Sequence, residues 1–111
     1  MTRRPVHEED VEVVDLPARS RFELRLGGEA AGRADYRLEP ERLVLTHTEV
    51  SEAHEGRGLG GRLAREALDT ARDRGLRVTP LCPYIARYIR RHREYVDLVD
   101  DEHRADFTAP Q

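Results

Sequence analysis

Lysine, asparagine and tryptophan are all missing from these 111 residues, and cysteine and methionine occur once each. All 19 basic side chains are therefore arginine. That excludes a lysine Schiff base and the lysine of a Gly-Lys-Ser/Thr phosphate loop. Without asparagine there is no N-glycosylation sequon. The single Cys82 forbids an internal disulfide and a cysteine-based zinc site. Long apolar runs are lacking as well, and none approaches the ~18 residues that span a bilayer. The start Met1-Thr2-Arg3-Arg4-Pro5 carries the charge of a signal peptide but has no apolar stretch behind it. The expectation is a soluble, cytoplasmic protein that meets no membrane. Abundant arginine and alanine beside absent lysine and asparagine suggest the codon bias of a GC-rich bacterium.

Twenty-two acidic side chains oppose the 19 arginines, and the net charge of −3 argues against a nucleic-acid binder, which is normally basic. The length fits about one small domain. Residues 1–9 read as a loose polar tail, 10–99 as the folded domain and 100–111 as a solvated C-terminal tail. Val11 to Val14 is a short β-rich run ended by Pro17. From Ser20 to Leu26, Phe22, Leu24 and Leu26 alternate with Arg21, Glu23 and Arg25, as in a half-buried strand. Gly27-Gly28 marks a hairpin turn. Glu29 to Leu38 and Arg42 to Val50 complete a four-strand meander whose short connections predict antiparallel pairing. From Leu59 the period changes to helical: Leu63, Ala64, Ala67, Leu68 and Ala71 share a face, and Gly75 is a natural stop. A strand over Leu76 to Leu81 and a helix opened by Pro83 follow. The fold class is thus α+β (mixed α/β), mostly antiparallel, with two main helices.

Four glycines, Gly56, Gly58, Gly60 and Gly61, crowd the junction between the strongest strand and the strongest helix. Such a turn leaves free N–H groups converging at a helix N-terminus, where the helix dipole favours an anion and glycine admits a phosphate to the backbone. Arg57 and Arg62 flank it. The bland alternative is a tight turn packed against another backbone. On the preceding strand His47 and Glu49 share parity, so their side chains leave one face. Either can take a proton from an amine, and an imidazole is the better matched to neutral pH; a structural histidine and an ion-paired carboxylate are the plain alternatives. Cys82 is either an inert buried residue or a reactive thiol. Arg87, Arg90 and Arg91 are either a solvated helix face or a phosphate-holding cluster. His54, His92 and His103 have no metal-ligand spacing, and no metal is expected.

His47-Thr48-Glu49-Val50, Gly56-Arg57-Gly58-Leu59-Gly60, Pro80-Leu81-Cys82-Pro83-Tyr84 and Tyr88-Ile89-Arg90-Arg91-His92 together resemble the GNAT superfamily of N-acetyltransferases, in its compact YjdJ-type branch. The resemblance covers roughly residues 10–99. It implies a compact GNAT-like fold with a splayed strand pair, and an acetyl-CoA-dependent transfer to an amine acceptor. The CoA pyrophosphate would be held by the turn Arg57, Gly58, Leu59, Gly60, Gly61 and Arg62, the pantetheine arm near Glu49-Val50 and Leu81-Cys82, and the 3′-phosphate by Arg90 and its neighbours. His47, Glu49 and Cys82 are the candidate catalytic residues, and Tyr84 and Tyr88 the candidates for returning a proton to the leaving thiolate. Glu55 stands where the family signature has Arg or Gln, and the family's Asn after the fifth strand is missing. Both departures point to the rival reading, a non-catalytic CoA-binding or interaction module. The family's C-terminal hairpin is also absent, leaving the acceptor side open or completed by another chain, as a monomer or weak homodimer.

Overall fold

In a computed structural model that describes residues 11–54 and 56–108, alternating strands and tight turns build the meander read from the sequence. The tail expected over 1–9 lies outside the described residues, as do Glu55 and residues 109–111. Strands β1 (Val11–Leu16), β2 (Arg21–Leu26), β3 (Glu29–Leu38) and β4 (Arg42–Val50) pair antiparallel in sequence order. Gly27 and Gly28 both have positive φ, 56° and 88°, the requirement of a two-residue hairpin turn that matches strand twist. At the next corner the backbones of Glu39 and Arg42 exchange hydrogen bonds around Pro40.

Helix α1 (Leu59–Asp73) then crosses over to β5 (Arg77–Pro80), which pairs parallel with β4 at the far edge of the meander. Its six apolar residues Leu59, Leu63, Ala64, Ala67, Leu68 and Ala71 are all buried. The three alanines on that face let the helix lie close to the sheet. The helix ends where Gly75 takes φ 68°. There the Gly75 N–H donates to the Arg72 carbonyl and the Leu76 N–H to that of Ala71, a Schellman stop. Helix α2 (Pro83–Arg91) starts on proline, which lacks the N–H that the first turn leaves free anyway. It buries Ile85 and Ile89.

Residues 100–108 correct the expectation of a solvated tail. Val99 bridges Val78 in parallel beside β5, Asp100 is buried, and Phe107 on the short helix α3 (Ala105–Thr108) joins the core. A phenylalanine at 107 has enough apolar surface to hold a short segment against α2, which the charges around it conceal.

Candidate functional site: a parted strand pair beside an uncapped helix

The register of β3 against β4 shifts once. Asp35 faces His47 and Tyr36 faces Leu45, so Thr46 is an extra residue on β4. Such a bulge reverses the parity of everything after it. Leu43 and Leu45 enter the core. Beyond the bulge Thr48 and Val50 turn to that side, while His47 and Glu49 emerge exposed on the other. Pairing with β5 stops at Leu45–Pro80, although β4 runs on to Val50. The Cys82 N–H donates to the Leu45 carbonyl at 2.9 Å, and past that tether the two chains part. The resulting cleft of about 560 Å³ has His47, Thr48, Glu49 and Val50 along one wall, with Gly58, Leu59, Gly60 and Tyr84 also lining it.

The end of the cleft is the N-terminus of α1. Gly58, in the left-handed conformation at φ 74°, occupies the cap position; among the described residues no side chain caps the helix, and its first turn holds no acidic residue. The amides of that turn are left for an external anion, and the helix dipole reinforces them. Outside the turn lies a hollow of about 530 Å³ lined by Arg57, Gly58, Leu59, Gly61, Arg62 and Arg65, with Tyr88 of α2 and His92 just after it. A smaller hollow of about 220 Å³ adjoins it and adds Tyr84, Arg87 and Arg91. Five guanidinium groups thus surround the N-terminus of α1, a setting for a chain of phosphates.

Gly60 has a further reason to be glycine. A Cβ there would stand 2.6 Å from the Tyr84 hydroxyl oxygen. Tyr84, about a third exposed, lines both the cleft and the smaller hollow, and so stands between them.

His47, Glu49, Val50 and the turn from Arg57 to Arg62 are brought together along the cleft and hollow. Glu49 accepts a hydrogen bond from Arg33 at 2.5 Å, and Arg33 also holds Asp35 at 3.1 Å. Its hydrogen bond to Asp35 raises the Arg33 pKa above the ordinary value, against the effect of burial, and Glu49 adds to the rise. Cys82 is buried at the cap of α2, with its Sγ 3.4 Å from the Thr48 hydroxyl, and is not among the residues lining the cleft.

Arg90 does not join the rim. It lies over the Phe107 ring, 4.8 Å from its centroid, because helical spacing turns it away from the side that carries Tyr84, Tyr88 and Arg91. Arg87 and Arg91 line the hollow instead. Sequence reasoning also missed Arg65 and His54. Arg65 falls one turn beyond Arg62 and was readable as such. His54 lines the cleft, and its Nδ1 is buried with no partner among the described residues, a fact no spacing announces. Among the described residues no group of three His, Cys, Asp or Glu could hold a metal ion, and no helix is long and apolar enough to cross a membrane.

A parted strand pair, a glycine turn and the N-terminus of α1 thus form one cleft with its adjoining hollow. Residues 21–98 match the family model of GCN5-related N-acetyl-transferases, and the chain belongs to that family. Over 75 residues it is 39% identical to Protein NATD1 of Mus musculus, which covers 65% of this chain and 67% of the mouse protein. Protein NATD1 of Gallus gallus matches to the same extent. Protein NATD1 of Homo sapiens has the same identity over 66% of its length.

Proposed function

We propose that the chain transfers an acetyl group from acetyl-CoA to an amine by direct attack within one ternary complex. The observation that carries this reading is the parting of β4 from β5 beyond Leu45 and Pro80, beside a helix whose first turn holds no acid and, among the described residues, no side-chain cap. The amides from Gly58 to Arg62 hold the pyrophosphate, with Arg57, Arg62 and Arg65 around it, while Arg87 and Arg91 take the 3′-phosphate role expected of Arg90. The exposed edge of β4 from Thr46 to Val50 offers main-chain groups to the pantetheine amides, and Val50 gives the arm an apolar wall.

An ammonium is not nucleophilic, so a base must first remove a proton. His47 has that role, directly or through water. Glu49, on the same face of the strand, attracts the cationic acceptor, its own charge being partly spent on Arg33. The departing thiolate recovers a proton from a phenol. Burial raises the Tyr88 pKa above that of an ordinary phenol, keeping it protonated, and Tyr84 lies nearer the cleft. The burial of Cys82 beneath Thr48 favours direct attack over a covalent relay through its sulfur, which would need an exposed thiolate.

Incubation with acetyl-CoA and a panel of small amines and peptides, followed by thiol titration, tests the reading. Free CoA thiol should accumulate only when an effective acceptor is present. Intact mass without acceptor should show no stoichiometric adduct of an acetyl group. An adduct that an amine discharges and that Cys82→Ala cannot form would establish the relay instead. CoA binding with no turnover on any acceptor would leave the non-catalytic CoA-binding module.

A further inference from the structure

The rings of Tyr88 on α2 and His92 just past its C-terminus stack with centroids 3.9 Å apart and planes 16° from parallel. Inward, Tyr88 meets the ring of Tyr95 at 6.1 Å. Tyr95 is buried, while Tyr88 and His92 are half-buried, so the column of rings runs from the core to the surface. Its two outer members line both hollows at the uncapped end of α1. The His92 ring is held from below: its Nδ1 lies 3.0 Å from the Tyr88 carbonyl. A carbonyl only accepts, so Nδ1 donates there, and Nε2 of the neutral ring is left as an acceptor.

A hydrophobic core has no need of a fixed imidazole at its rim. A flat, polar-edged ring does need such a support, since bases stack on aromatic side chains whatever their sequence. Arg57, Arg62, Arg65, Arg87 and Arg91 line the same two hollows and suit phosphates. Aromatic platform and phosphate site together are the recognition chemistry of a nucleotide.

We infer that Tyr88 and His92 form the platform for the purine base of the acyl donor, so that the donor is selected by its nucleotide as well as by its acyl-bearing arm. The inference rests on the reading of the site as a CoA site. In it the outer face of His92 takes the base, and the arginines bind the phosphates on either side. The inward stack on Tyr88 stops the imidazole from tilting, so little side-chain freedom is lost when the base arrives.

Calorimetric titration of the full chain with CoA, 3′-dephospho-CoA and 4′-phosphopantetheine separates the parts of this site. In the wild type, phosphopantetheine should bind at least tenfold more weakly than dephospho-CoA. His92→Ala should weaken CoA and dephospho-CoA alike, by roughly tenfold, the usual loss for one stacked base, and leave phosphopantetheine unchanged. His92→Phe, which keeps a ring, should retain most of the CoA affinity, and His92→Leu, of similar bulk without one, should not. Equal loss on all three ligands, or no loss on any, would overturn the platform while leaving the CoA site standing. If the wild type binds none of the three, the proposed function falls first and the platform with it.

Discussion

At the scale of single residues, a one-residue bulge at Thr46 decides which side chains can meet an acceptor. Without it, His47 and Glu49 would continue the parity of Leu43 and Leu45 and turn toward the core. With it, both stand in the open on the cleft wall. They are not equivalent there. The carboxylate of Glu49 is engaged by Arg33, and a proton taken from the acceptor would have to displace that guanidinium. His47 makes no side-chain hydrogen bond to a described residue, and Asp35 lies directly across from it in register. The acetylation rate should therefore rise with pH through a step that His47→Gln abolishes, with kcat lowered about 10²–10⁴-fold, the usual contribution of general-base catalysis. Glu49→Gln should keep the step and mainly raise KM for a cationic acceptor. Steady-state kinetics over a pH series reads both; full rate and an intact step in His47→Gln would place the base elsewhere.

Between elements, the deciding contact is that of α1 with α2 at Gly60. The glycine cluster was legible in the sequence, and so was its setting between strand and helix. Tyr84 as the partner of Gly60 was not, because that contact joins residues 24 apart through the packing of two helices. Arg90 shows the same limit. Helical spacing sets Arg90 off the side shared by Tyr84, Tyr88 and Arg91, but which side of α2 faces the hollow is decided only by how the helix docks, with Arg90 over Phe107. Strands, by contrast, were readable nearly to their ends, since period-2 alternation and the Gly27-Gly28 and Pro40 corners leave little freedom. The bulge at Thr46 escaped because a strand of mixed β-branched residues looks alike with or without an extra member. Alanine is a better helix former than glycine, so Gly60→Ala should fold at least as well by circular dichroism. Its Cβ nonetheless drives the Tyr84 ring into the cleft or the hollow that it divides. CoA affinity should fall about tenfold, in line with one overpacked contact, and adding Tyr84→Ala should recover most of it. Wild-type affinity in Gly60→Ala would remove the ring from any part in binding.

On the scale of the whole molecule, the segment after α2 closes the fold at the edge of β5, and Asp100 is its anchor. Charge and low hydropathy over Asp100–Arg104 hide this, since five neighbouring polar residues look solvated until their partners are known. The Asp100 carboxylate accepts from the Thr79 hydroxyl, from the His103 backbone N–H at 3.0 Å and from Arg42 at 3.5 Å, and meets His103 Nδ1 at 2.7 Å. Burial pushes this carboxyl up, but the hydrogen bonds from Thr79 and His103 outweigh it and hold the pKa below the ordinary carboxylate value. A group depressed in the folded state adds stability that is fully present above its unfolded value, about 3.9. That stability is lost as the pH falls through the folded value. Asp100→Asn keeps the shape and removes the charge. It should destabilise the protein at pH 7 by roughly 1.5–3 kcal/mol, the range for a hydrogen-bonded charge. The gap to wild type should persist down to about pH 5 and then narrow at lower pH as the wild-type carboxylate protonates. Urea unfolding at a series of pH values between 7 and 2 measures it. A gap that stays constant to pH 2 would mean that Asp100 holds the segment by shape alone, and that its charge contributes nothing to the closure of the sheet.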